Sequence, residues 1–128
     1  MLKWRSLAVV AFVAGFLIPF GSALAHHSNS MYDRDHQTEL KGEVTDFQWT
    51  NPHIHLFFVV KDNQGNVRKW VSEGPSPSQM VENGWKEETV KPGDRVSIVG
   101  NPSRNGSPSL RLRWVTLPNG KDLYAYRN

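Results

Sequence analysis

His53-Ile54-His55-Leu56-Phe57-Phe58-Val59-Val60-Lys61, then Asp62-Asn63-Gln64-Gly65-Asn66, then Val67-Arg68-Lys69-Trp70-Val71-Ser72-Glu73 reads as a β-hairpin. Successive strand side chains point to opposite faces. Ile54, Leu56, Phe58 and Val60 therefore share one face, and His53, His55, Phe57 and Val59 the other. The polar stretch 62–66, with its glycine, is turn chemistry. One apolar face and one mixed face mark a strand whose inner side lies against a core.

The same alternation continues upstream. Leu40, Gly42 and Val44 alternate with Lys41, Glu43 and Thr45, which predicts a strand. Phe47 and Trp49 then fall in the opposite phase, so a bulge or sharp bend is expected near Thr45-Asp46. Asn51-Pro52 breaks that strand. Downstream, Ser76-Pro77 has the form of an N-cap followed by proline at the first helical position. A short helix is expected over 76–83, stopped by Gly84. Lys91-Pro92-Gly93-Asp94 is a turn, and 95–99 a fourth strand. The Gly/Pro/Ser/Asn-rich stretch 100–109 is expected to be a long loop. A fifth strand follows over 110–117, with Leu110, Leu112 and Trp114 facing inward, and a last short strand near 123–126. Three strands, a short helix and two main strands is the order of an OB-fold, a five-stranded partly open barrel. A generic small β-barrel or sandwich is the alternative. The barrel domain is placed at 39–128, behind a polar, flexible segment at 26–38.

Residues 1–25 read as a signal peptide. Lys3 and Arg5 supply the positive start, 7–20 is apolar, and Ala23-Leu24-Ala25 is an A-x-A cleavage pattern. A retained N-terminal anchor is the alternative, but the apolar run is short of the roughly 20 residues of a spanning helix. The expected destination is the periplasm or the exterior of a bacterial cell, with no membrane span after cleavage. Removing 25 of 128 residues leaves 103, enough for one domain with a modest core. Two of the 15 basic residues leave with the leader, so 13 face 12 acidic ones, a net +1. The sequence pI of about 9.4 thus overstates the charge of the exported chain, and no strong electrostatic case for nucleic acid remains. There is no cysteine, hence no disulfide and no thiolate nucleophile or ligand.

Several blocks carry a resemblance: Ala25-His26-His27-Ser28, Met31-Tyr32-Asp33, Gly42-Glu43-Val44, Trp49-Thr50-Asn51-Pro52-His53, Trp70-Val71-Ser72-Glu73, Ser76-Pro77, Gly84-Trp85, Lys91-Pro92-Gly93-Asp94 and Gly100-Asn101-Pro102. In them the chain resembles a family of small exported bacterial proteins of unknown function with a predicted OB-like barrel. The resemblance spans essentially the whole mature chain and implies export and fold. It implies no activity and no catalytic residues.

All five histidines, His26, His27, His36, His53 and His55, lie within 30 residues of one another. Cleavage after Ala25 makes His26 the N-terminal residue, whose amine and imidazole Nδ1 can chelate one metal ion. A further imidazole, from His53 or His55, would complete a T-shaped three-nitrogen site. Copper is the candidate metal, because Cu(II) favours planar nitrogen ligands and binds tightest among the divalent first-row ions. An α-amine with a pKa of roughly 7.7–8.0 gives up its proton to a metal near neutral pH. The candidate ligands are therefore His26, His27, His53 and His55. The competing reading makes the histidines incidental or structural, bonded to backbone or to Glu43 or Asp46. Cleavage after Ala23 would remove the terminal chelate.

Trp49, Phe57 and Trp70 are read as lining an aromatic groove, with packing as the alternative, since aromatic side chains bury much area. Arg104, Arg111 and Arg113 suggest either an anionic ligand or a solvated face. Glu43, Asp46 and Glu73 show no spacing of a catalytic carboxylate pair, and no phosphate loop or serine-nucleophile motif is present. The sequence thus points first to an exported, non-enzymatic binding module, with copper near its N-terminus as a candidate ligand and a small ligand or an envelope protein as partner. A copper-dependent redox enzyme using the same histidines is one alternative. A metal-free carbohydrate- or protein-binding module using the aromatic groove is the other.

Overall fold

The computed structural model describes residues 31–127. The expected signal peptide at 1–25, together with His26 and His27, lies outside the described residues. Six strands and one helix follow in the order β1 (Thr38–Gln48), β2 (His55–Lys61), β3 (Val67–Glu73), α1 (Pro77–Glu82), β4 (Arg95–Pro102), β5 (Ser109–Thr116) and β6 (Asp122–Tyr124). The sheet order is β3-β2-β1-β4-β5-β6, and a parallel β3–β5 pairing closes the first five strands into a barrel. This is the OB-fold arrangement expected from the element order.

β1 serves both halves of the barrel. Thr38 to Glu43 pairs with β4, Glu43 to Gln48 pairs with β2, and Glu43 has a partner on each side. The phase change before Phe47 is the expected bulge, a register shift between Val44 and Asp46. Gly42 allows the close approach of β2, because a Cβ there would lie 2.7 Å from the Val59 carbonyl oxygen and 2.9 Å from the Phe58 ring. Val44, Ile54, Leu56, Phe58, Val96, Ile98, Leu110, Leu112 and Val115 fill the interior. Ser72 shares it, with its hydroxyl unpartnered among the described residues.

The helix has the expected cap. The Ser76 hydroxyl accepts from the Gln79 amide, Pro77 occupies the first turn, and Gly84 with φ 91° follows the Asn83 cap. Six residues cannot hold a helix by propensity alone. Burial of Met80 in the core anchors it, beside the buried Trp85.

Two boundaries and one facing differ from the sequence reading. β2 begins at His55, leaving His53 in the β1–β2 loop behind the cis Asn51–Pro52 peptide. β4 runs on to Pro102, so the long loop shrinks to 103–108. Trp114 does not face inward. Val99 pairs with Trp114 but Gly100 pairs with Leu112, so Arg113 is an extra residue on β5. That bulge reverses the phase, which buries Val115 and turns Trp114 out against the Tyr124 ring at 5.6 Å. Part of the segment read as flexible is also tied down: Tyr32 is buried and bridges Ser103 in the β4–β5 loop.

Candidate functional site

Hairpin register builds the site. Across four neighbouring strands, Gln48 pairs with His55, His55 with Glu73, and Glu73 with Arg111. Directly paired residues project from the same face, so these side chains form one polar row on the outside of the barrel. His53 joins it from the β1–β2 loop. Its Nδ1 donates to the Gly74 carbonyl oxygen at 3.0 Å and lies 3.6 Å from Glu73 Oε1. With its proton on Nδ1, the imidazole keeps the Nε2 lone pair for another partner. The His53 side chain is 42% exposed, so that partner can arrive from solvent. His55 lies next along, its ring 6.3 Å from that of Phe57.

The N-terminal segment enters here. Tyr32 donates its phenol to Glu73 Oε2 at 3.3 Å, while the Arg104 Nε donates to the Tyr32 carbonyl. Burial pushes the Tyr32 phenol up to about 12, and the negative charge of Glu73 adds to the shift. On the other side of the row, the Arg111 guanidinium sits over the Tyr126 ring at 4.7 Å. A little upstream, His36 Nδ1 donates to Asp33 Oδ2 at 2.7 Å, which holds the Asp33 carboxyl below its usual range.

The row lies on the β2–β3 face between the β1–β2 and β4–β5 loops, where OB-folds commonly bind their ligands. Its chemistry is that of a coordination or hydrogen-bonding surface, with one imidazole oriented by a backbone carbonyl and a carboxylate beside it. Among the described residues, no three His, Asp or Glu side chains converge to hold a metal ion.

The family of unknown function designated DUF6152 matches residues 17–110. The chain belongs to this family. The match takes in the hairpin, the Tyr32 anchor and the start of β5. No match is found among curated proteins or among solved structures.

The structure brings together some of the expected site residues and separates others. The sequence reading puts His53 and His55 on one face of a strand; His55 opens β2, but His53 lies in the loop before it. Trp49, Phe57 and Trp70 do not share a groove. Phe57 pairs with Val71 on the outer face, whereas Trp70 pairs with Phe58 and stacks on it at 6.5 Å. Trp49 packs edge-on against Phe47 at 5.6 Å and rests on the core. Tyr32, Glu73 and Arg111 are site members that the sequence reading left without that role. Glu73 had a usable signal. Counting back from the 62–66 turn pairs Lys61 with Val67 and hence His55 with Glu73. Tyr32 had a fainter one, a lone aromatic in a polar stretch.

Proposed function

We propose that the chain is an exported OB-fold binding module that holds one copper ion between its processed N-terminus and the His53 end of β2. His26 contributes its amine and imidazole, and His53 contributes Nε2. One observation carries this reading: Tyr32 is hydrogen-bonded to Glu73, the carboxylate that lies beside His53. The segment preceding the barrel is therefore delivered to the histidine row. The five residue-to-residue steps from Met31 back to His26 span up to about 17 Å, a short lead for the terminal amine. The His53–Gly74 hydrogen bond adds support, because metal-bound histidines usually donate their other ring nitrogen to a carbonyl or carboxylate. Export by removal of 1–25 is part of the same proposal.

The test uses protein recovered from the periplasm. Intact mass should show loss of residues 1–25. Copper(II) titration should give one tight site, weakened at least about tenfold by His26→Ala and by His53→Ala. His55→Ala should weaken it less. One residue added before His26 should also weaken it, because the chelating amine moves. A chain that starts at Leu24, or affinity indifferent to both His53→Ala and His55→Ala, would overturn the proposal.

A further inference from the structure

A second candidate site lies away from the histidine row, where β1 changes partner. β2 runs on past Glu43 to Lys61 while β4 begins at Arg95, so the β2–β3 hairpin diverges from the β1–β4 pair. A cavity of about 790 Å³ opens there. Val59, Val67, Leu117 and Pro118 supply its apolar wall, and Lys41, Lys61 and Arg95 its cations, against the single carboxylate of Glu43. Among the described residues, none of the three cations has a carboxylate within ion-pair distance. Val67 remains 60% exposed, although it is an aliphatic residue at a strand end.

The charge is concentrated. The chain beyond the leader carries 13 basic and 12 acidic residues, yet this one cavity gathers three of the first and one of the second. Like charges drawn together without counter-charges repel one another, and an anionic ligand relieves that repulsion. A small inorganic anion would leave the valine and leucine wall unused. Volume, apolar wall and cationic rim together fit a ligand with an acidic head and a hydrocarbon body, within the usual range of ligand cavities.

We propose that this cavity binds a single-chain anionic amphiphile of the fatty-acid type, its carboxylate between Lys41, Lys61 and Arg95 and its chain along Val59, Val67 and Leu117. The site is independent of the copper proposal and can fail or stand without it.

The probe is dodecanoate below its micelle concentration, added to the mature protein and followed by methyl NMR and calorimetry. Dodecanoate should bind one to one and shift the methyl signals of Val59, Val67 and Leu117. Each methylene removed should weaken binding by up to about fourfold. Lys61→Gln and Arg95→Gln, both at exposed positions, should each weaken it by up to about fivefold while leaving the thermal midpoint unchanged. Dodecyltrimethylammonium should not bind, and acetate should leave the signals in place. Equal binding of the cationic and anionic chains, acetate acting as well as dodecanoate, or both variants binding as the parent does would overturn the proposal. So would sedimentation showing that this face pairs two copies of the chain.

Discussion

Tyr32 joins three things at the scale of single residues: the incoming segment, the β4–β5 loop and the carboxylate next to His53. Its phenol, pushed up to about 12 by burial and by Glu73, is more readily neutral in the folded chain than in the unfolded one, where the ordinary value is about 10. Stability from this group is therefore fully present below pH 10 and is lost as the pH rises through 12. An ultraviolet phenolate titration should show one late-titrating tyrosine that disappears in Tyr32→Phe. Denaturant unfolding should show the parent losing its advantage over that variant between pH 10 and 12. A pH-independent difference would mean that Tyr32 contributes packing alone. His55 is legible in the sequence because a two-residue period fixes its face, whereas His53, in the loop before β2, is oriented by the Gly74 carbonyl. The Tyr32–Glu73 contact is not legible, because it joins residues 41 positions apart through a bridge to Ser103 that no local pattern encodes.

Single elements follow local chemistry closely where that chemistry is strong. The Ser76 cap, Pro77 and Gly84 bound α1 within a residue of the sequence expectation, and the 62–66 turn sets the β2–β3 register. Misreadings arise where tertiary pairing overrides alternation. The extra residue at Arg113 reverses β5, so Trp114, inward by simple counting, ends outside. The partner strand needs Gly100 at the same place. A Cβ there would lie 2.6 Å from the Arg111 carbonyl oxygen and 2.8 Å from the Leu110 Cβ. Both are atoms of a closed ladder with little room to shift. Gly100→Ala should therefore lower the unfolding free energy by about 1–3 kcal/mol. Gly106→Ala, in the open β4–β5 loop, should lose only the smaller cost of a left-handed backbone at φ 76°. Paired denaturation curves of the two variants check this, and equal losses would contradict it.

Across the whole molecule, the barrel closes through β3 and β5, with α1 and β4 between them in the chain. Such non-local closure follows from the order of elements, which is why the fold class is legible although individual boundaries shift. What holds the far end of the chain is less visible in sequence. The Trp85 indole donates to the Tyr124 carbonyl at 2.9 Å, and the Asn83 side chain donates to that of Ala125 at the same distance. Leu123 and Ala125 are buried beside them. A chain ending at Asn119 would lose both acceptors and the Leu123 side chain. The unfolding free energy should fall by more than about 3 kcal/mol, from lost apolar burial and unpaired polar groups. Thermal melts of the shortened chain measure this, and a midpoint within a few degrees of the parent's would refute it.

The same clasp bears on how the protein is made. Synthesis runs from the N-terminus, so Trp85 and Asn83 leave the ribosome well before the carbonyls that receive them. Until Tyr124 and Ala125 emerge, the indole and the side-chain amide lack the carbonyls that receive them. A product terminated before Tyr124 would lack that fastening for good and would open more readily to proteases. Residues 123–125 thus fasten, late in synthesis, a helix and a tryptophan made about forty residues before them.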